Sequence, residues 1–148
     1  MFKINKKVEY ALMALRHVNN KEPNSLTSVK EICDTYGAPF DVTSRAMQQM
    51  VSGGLLKSEK GAHGGYVLIK DLCEVSVLEV IEIICSTPVS LASCLSDTSA
   101  CQLADSCNII TPLLSLNHKL RGFLETLSVD EILQTESSSA IFNTVPGS

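Results

Sequence analysis

The chain has 148 residues, 45% of them hydrophobic and 19% charged. This balance excludes disorder over most of the length and allows one domain, or a small domain with an attached element. The net charge of −4 alone argues against a polyanionic partner, but its sign is uneven: residues 1–70 carry 10 Lys/Arg against 6 Asp/Glu, and residues 71–148 carry 2 against 10. A basic front half and an acidic back half point to two separate roles. No stretch is long and apolar enough to span a membrane, and Glu9 and Arg16 break any apolar signal core behind Lys3, Lys6 and Lys7. The protein is therefore expected in the cytoplasm, where its six cysteines stay reduced and serve as ligands, core fillers or redox sensors.

Residues 5–20 place Val8, Ala11, Leu12, Leu15 and Val18 at three- and four-residue steps, the pattern of an amphipathic helix. Lys21-Glu22-Pro23-Asn24 ends it. Ser28 with Glu31 is a capping box, and the helix behind it is predicted to bury Val29, Ile32, Cys33 and Tyr36. Gly37-Ala38-Pro39 stops that helix, and Asp41 reads as the N-cap of a third, ending at Gly53-Gly54. Helix, short glycine-containing turn, helix is the outline of a helix-turn-helix. At 100° per residue, Val42, Ala46, Met47, Met50 and Val51 fall on one arc of the third helix. Asp41, Ser44, Arg45, Gln48, Gln49 and Ser52 fall on the other. Arg and Gln can bond base edges, although an ordinary solvated face carries the same residue types.

Two short apolar runs, Leu55-Leu56 and Tyr66-Val67-Leu68-Ile69, flank Gly61-Ala62-His63-Gly64-Gly65. They predict a β-hairpin, and a hairpin directly after a helix-turn-helix is a wing. Glycines such as Gly64 let the backbone approach a phosphate or enter a narrow groove, and Lys57, Lys60 and His63 supply donors. A nucleotide phosphate loop is disfavoured, because no Gly-Lys-Ser/Thr opens a helix here.

Ser76 with Glu79 caps a largely apolar helix over Val77–Cys85. Residues 86–108 read as a long loop rich in Ser, Thr, Asp and Cys, and such loops in small domains are usually functional or disordered. Thr111-Pro112 predicts an N-cap followed by Pro at the first helical position. Leu113, Leu116, Leu120, Phe123, Leu124 and Leu127 then form a stripe suited to dimerisation or to packing against the chain itself. A short helix follows Ser128, and residues 135–148 are a polar tail. The implied organisation is a DNA-binding unit over 1–75, a cysteine loop with dimerisation helices over 76–134, and the tail. The fold class is mainly α with a small β-hairpin wing (α+β): a winged helix-turn-helix plus a long dimerisation helix.

Cys33 and Cys85 lie on apolar helix stripes and read as core, while Cys73 follows a strand without an obvious partner. Cys94, Cys101 and Cys107 share one irregular loop, with six and then five residues between them. Three thiolates are one short of the four ligands that zinc or an iron–sulfur cluster takes, and the tight Cys-x-x-Cys pairs usual for zinc are absent. The wider spacing suits a cluster, whose iron atoms are spread apart.

Three marks together resemble the IscR-like iron–sulfur-cluster regulators, the family that includes the nitric-oxide-sensing repressor NsrR. They are Val8-Glu9-Tyr10-Ala11-Leu12 after a short basic lead, Lys60-Gly61-Ala62-His63-Gly64-Gly65-Tyr66-Val67-Leu68 in the wing, and the three-cysteine loop before a long helix. The likeness spans residues 1–135. It implies a homodimeric winged-helix transcription factor on double-stranded DNA with a two-fold-symmetric site. It also implies a 2Fe–2S or 4Fe–4S cluster on Cys94, Cys101 and Cys107, and base reading by Asp41, Val42, Ser44 and Arg45. Two departures stand out. Ile110 occupies the place of a ligating histidine, and the first cysteine gap is one residue longer than is common. The resemblance offers Glu9 of the other subunit as the fourth ligand, with Asp97, Asp105, His118, a water or a small thiol as rivals.

The resulting expectation is a DNA-binding regulator, a repressor, that senses iron–sulfur status, redox state or nitric oxide. A second possibility keeps DNA binding but makes the three cysteines a thiol–disulfide switch or a zinc site. A third is a small redox protein with no DNA role. No Ser-His-Asp set, paired acids or nucleotide motif supports an enzyme.

Overall fold

A computed structural model describes residues 3–97 and 101–135. Helix α1 (Lys6–Asn19) starts at Asn5, whose side chain accepts from the Lys7 amide. It buries Val8, Ala11, Leu15 and Val18, as their spacing predicts, together with Ala14. Helix α2 (Val29–Tyr36) starts at Ser28, whose hydroxyl accepts from the Glu31 amide, and buries Val29 and Ile32. Tyr36, expected on that buried stripe, is instead 46% exposed, and its hydroxyl lies 2.8 Å from His17 Nδ1. A phenol needs a partner for its polar end, and the apolar core offers none.

Helix α3 (Phe40–Ser52) is capped by Pro39 in extended backbone, not by Asp41. The amide and the hydroxyl of Thr43 both donate to the Pro39 carbonyl, at 3.1 and 2.7 Å, and the helix starts two residues earlier than expected. Asp41 therefore falls inside the first turn, where its carboxylate faces the positive end of the helix dipole. Thr43, Ala46, Met47 and Met50 point inward. Val42 and Val51, expected among them, are only half-buried, because Thr43 takes the inward place with its hydroxyl satisfied by the helix itself.

Strands β1 (Leu56–Glu59) and β2 (Gly65–Leu68) pair antiparallel, with Leu56 opposite Leu68 and Glu59 opposite Gly65. Thr27 extends the hairpin by exchanging two 2.9 Å backbone hydrogen bonds with Tyr66. The wing is thereby tied to the α1–α2 connection. At Gly64 a Cβ would stand 2.3 Å from the Glu59 carbonyl oxygen, so the tight turn admits only glycine.

Helix α4 (Val77–Cys85) starts at the Ser76 cap and packs against α3 at Gly53, where a Cβ would lie 2.6 Å from the Ile83 side chain. Helix α5 (Ile110–Thr126) begins at Ile110, with Ile109 as N-cap. Pro112 is thus third in the helix rather than first. It is tolerated there because the first four helical amides lack intrahelical partners in any case. Helix α6 (Val129–Leu133) returns to the front half: the Val77 amide donates to the Leu127 carbonyl and the Val129 amide to the Val75 carbonyl. One core joins Leu15, Ile32, Met47 and Leu55 to Val80, Ile84 and Val129. The polar tail lies outside the described residues from 136 onward.

Candidate functional site: nucleic-acid interface and cysteine loop

The solvent face of α3 forms one wall of a concavity of about 550 Å³, lined by Asp41, Val42, Arg45, Gln48, Gln49 and Ser52. Asp41, Arg45 and Gln48 are exposed, and Ser44 and Val42 are half-exposed. Arg45, Gln48 and Asp41 match the groups that bond guanine, adenine and cytosine edges in a major groove. Val42 is brought to this outer wall, where it can meet a thymine methyl. Gln49 is not available to a base, since its side-chain amide donates to the Ile84 carbonyl at 3.0 Å and to Ser86 Oγ at 3.2 Å. On the wing, Lys57, Lys60 and His63 are exposed and Gly64 closes the turn.

Lys21, Lys30, Lys70 and Arg121 are ion-paired with Glu31, Asp34, Glu79 and Glu82. Arg45, Lys57 and Lys60 form no ion pair among the described residues. Between α1 and α2, His17 Nε2 lies 2.7 Å from Glu31 Oε1, which Lys21 Nζ also reaches at 2.9 Å. Partial burial raises the Glu31 carboxyl, but the hydrogen bonds and charges of Lys21 and His17 outweigh it and hold the group below its ordinary pKa.

The cysteine loop is pinned at its base. Glu82 accepts from the Val89 amide at 2.9 Å and pairs with Arg121, whose guanidinium also donates to the Val89 carbonyl at 3.1 Å. Asn117 accepts from the Leu91 amide at 2.9 Å. From there the chain forms two 3-10 turns, Ser93–Leu95 and Ala104–Ser106. Cys94 lies in the first, and Cys101 and Cys107 flank the second. All three thiols are half-buried and, with Ala104 and Ile110, they line a single cavity of about 10 Å³. The void itself is about the size of one water, so the three thiols are crowded together around it rather than held apart as an open cage. Among the described residues no three His, Cys, Asp or Glu side chains are arranged to hold a single metal ion.

Glu9 does not line that cavity. It stands exposed on α1 with its carboxylate 2.6 Å from Lys6 Nζ, and its hydrogen bond and charge hold the Lys6 ammonium above its ordinary pKa. The rivals Asp105 and His118 are also outside the cavity. Cys33 and Cys85 pack at the edge of the core. Cys73 is exposed, and its thiol is pushed up to about 11 by hydrogen bonds to Asp71 and Asp130 and by their charges. Sequence reasoning missed that acidic pair because Asp130 arrives from α6.

The family Rrf2, iron-dependent transcriptional regulator, matches residues 4–135. The chain belongs to the Rrf2 family. Its members are transcriptional regulators rather than enzymes, and the fold is the DNA-binding winged helix of such a regulator. Among its Rrf2 relatives, the transcriptional regulator IscR of Photorhabdus laumondii is 25% identical over 134 residues, covering 90% of this chain and 80% of that one. The structure of CymR, the global cysteine regulator of B. subtilis, superposes with a TM-score of 0.67 at 21% identity, covering 92% and 99%. That of T. potens IscR gives 0.59 at 17%, covering 95% and 96%. No helix of the described residues is long and apolar enough to cross a membrane.

Proposed function

We propose that this Rrf2 protein is a homodimeric repressor that binds a two-fold-symmetric DNA site and senses iron–sulfur status, redox state or nitric oxide through a cluster held by Cys94, Cys101 and Cys107. The observation that carries the sensor reading is that the three loop cysteines converge on one cavity at the start of α5. The iron dependence in the family's description supports it. The fourth ligand on this reading is Glu9 of the other subunit, which in its own protomer accepts from Lys6. A bound cluster supplies ligand exchange and one-electron chemistry at the loop.

The chain's own residues do the rest. Asp41, Val42, Ser44, Arg45 and Gln48 enter the major groove, while Lys57, Lys60, His63 and Gly64 bring the wing to the minor groove and the backbone. Helix α5 buries none of its residues fully in the protomer, and Leu116 and Phe123 are 54% and 60% exposed. That apolar edge is the surface a second copy covers. Loading or emptying the cysteine site biases α5, and through the dimer it sets the spacing of the two reading helices. Half-sites repeat with the DNA helical turn, so a small change in spacing breaks specific contacts on one side.

Protein purified without oxygen should be coloured, contain iron and sulfide in matching amounts, and lose both in Cys94→Ser. Arg45→Ala should blur sequence selection, while Lys60→Ala weakens binding evenly. Colourless, iron-free protein after reconstitution would remove the cluster, and binding insensitive to both substitutions would remove the docking scheme. A second reading, a thiol–disulfide switch among the same cysteines, is favoured by their crowding around so small a cavity. Mass spectrometry of trapped thiols separates it.

A further inference from the structure

The concavity in front of α3 has a second wall. Lys7, on the first turn of α1, lines it together with Asp41, Val42, Arg45 and Gln48. Its neighbour Lys6 is engaged by Glu9, but Lys7 is exposed and forms no ion pair among the described residues. Lys21, Lys30, Lys70 and Arg121 are matched with carboxylates, whereas Lys7 and Arg45 are not, so both remain available to an anion; Arg16 and Lys119 elsewhere also form no ion pair among the described residues. Within the concavity the two cations outnumber Asp41, so it carries net positive charge on the surface that reads DNA. We propose that Lys7 is a backbone anchor: its ammonium grips a DNA phosphate flanking the groove that α3 enters. Recognition then uses two helices, α1 for position and α3 for sequence. A Lys ammonium is a compact point charge on a flexible stem, suited to a phosphate rather than to a base edge, and phosphate contacts set register without carrying sequence information.

The inference rests on α3 being the reading helix, and the test separates the two. The full-length wild type, Lys7→Gln, Lys7→Arg and Arg45→Ala are titrated with two short duplexes. One is enriched by the wild type from a random pool, and the other is its scrambled version. Each phosphate contact contributes about 0.9 to the slope of log affinity against log salt. Lys7→Gln should therefore flatten the slope by about 0.9 per protomer, so that between about 50 and 200 mM salt it loses about 3.5-fold less affinity per protomer than the wild type. It should weaken both duplexes by the same factor, and Lys7→Arg should restore the slope. A wild-type slope in Lys7→Gln, or a loss confined to the enriched duplex, overturns the anchor. If Arg45→Ala keeps full discrimination while Lys7→Gln loses slope, the anchor stands and α3 is not the reader. If neither variant changes binding, both ideas fall.

Discussion

Cys73 is an exposed thiol in a chain whose proposed function depends on thiols, so its reactivity has to be known before any of them is labelled. The hydrogen bonds to Asp71 and Asp130, with their charges, raise its pKa from an ordinary 9.0 to about 11. At pH 8 a shift of that size makes the thiolate about 100-fold scarcer. The remaining thiolate is more basic and hence more nucleophilic. With a Brønsted slope of about 0.4–0.5, two units return a factor of about 6–10, so net alkylation should be roughly tenfold slower than for a free thiol. Pulsed iodoacetamide labelling at increasing pH, with peptide mass spectrometry, gives the rate at each cysteine. Cys73 should be slow at pH 8 and keep gaining rate up to about pH 11. Asp130→Asn removes one negative charge and should speed labelling at pH 8. A Cys73 as fast as N-acetylcysteine at pH 8, unaffected by Asp130→Asn, would refute the assignment of these carboxylates as the cause.

Arg121→Ala removes the cation that holds both Glu82 and the Val89 carbonyl. The pair is about one-third exposed, so the loss should be about 1–2 kcal/mol, between exposed and buried pairs. Amide exchange should quicken at Val89 and Leu91, and unchanged exchange there would contradict the pinning of the loop base. At Glu31 the folded pKa is depressed, so its contribution is present above the ordinary value of 4.5 and lost as pH falls through the lower folded value. The stability difference between wild type and Glu31→Gln, followed by denaturant titration, should therefore be largest near neutrality and shrink below about pH 4.5. A difference that grows on acidification would mean that the folded protein raises the Glu31 pKa instead of lowering it.

What could be read from residues alone was local. The Ser28, Ser76 and Ser128 caps each form as their sequences predict, because cap and donor lie three residues apart. The hairpin is specified the same way, by its glycines and flanking apolar runs. Errors arose where two residues compete for one place. A hydrophobic wheel puts Val42 inside, but Thr43 satisfies its own hydroxyl and can be buried instead. Residues whose partners are distant gave no signal at all. Gln49 reads as one more polar side chain, yet its partners lie 35 and 37 residues away, and Glu82 meets Arg121 across 39. The cysteine triplet was visible as a pattern, but convergence on one cavity depends on two 3-10 turns that its irregular sequence does not announce.

On the proposed function, these distant pairs are the route by which a loop in the acidic half would influence α3 in the basic half. Glu82 is shared between Arg121 of α5 and the Val89 amide at the loop base. Near the end of the same helix α4, the Ile84 carbonyl receives the Gln49 side chain, which links it to α3. Gly53 lets α3 and α4 approach so closely that Ile83 fills the space a Cβ would need. A displacement of α4 therefore cannot be absorbed by soft solvent-facing contacts, because close-packed interiors transmit strain. Since α3, α4 and α6 share one core, α3 has no independent core to isolate it from a shift of α4. The packing thus joins the basic and acidic halves of the sequence in one mechanical body.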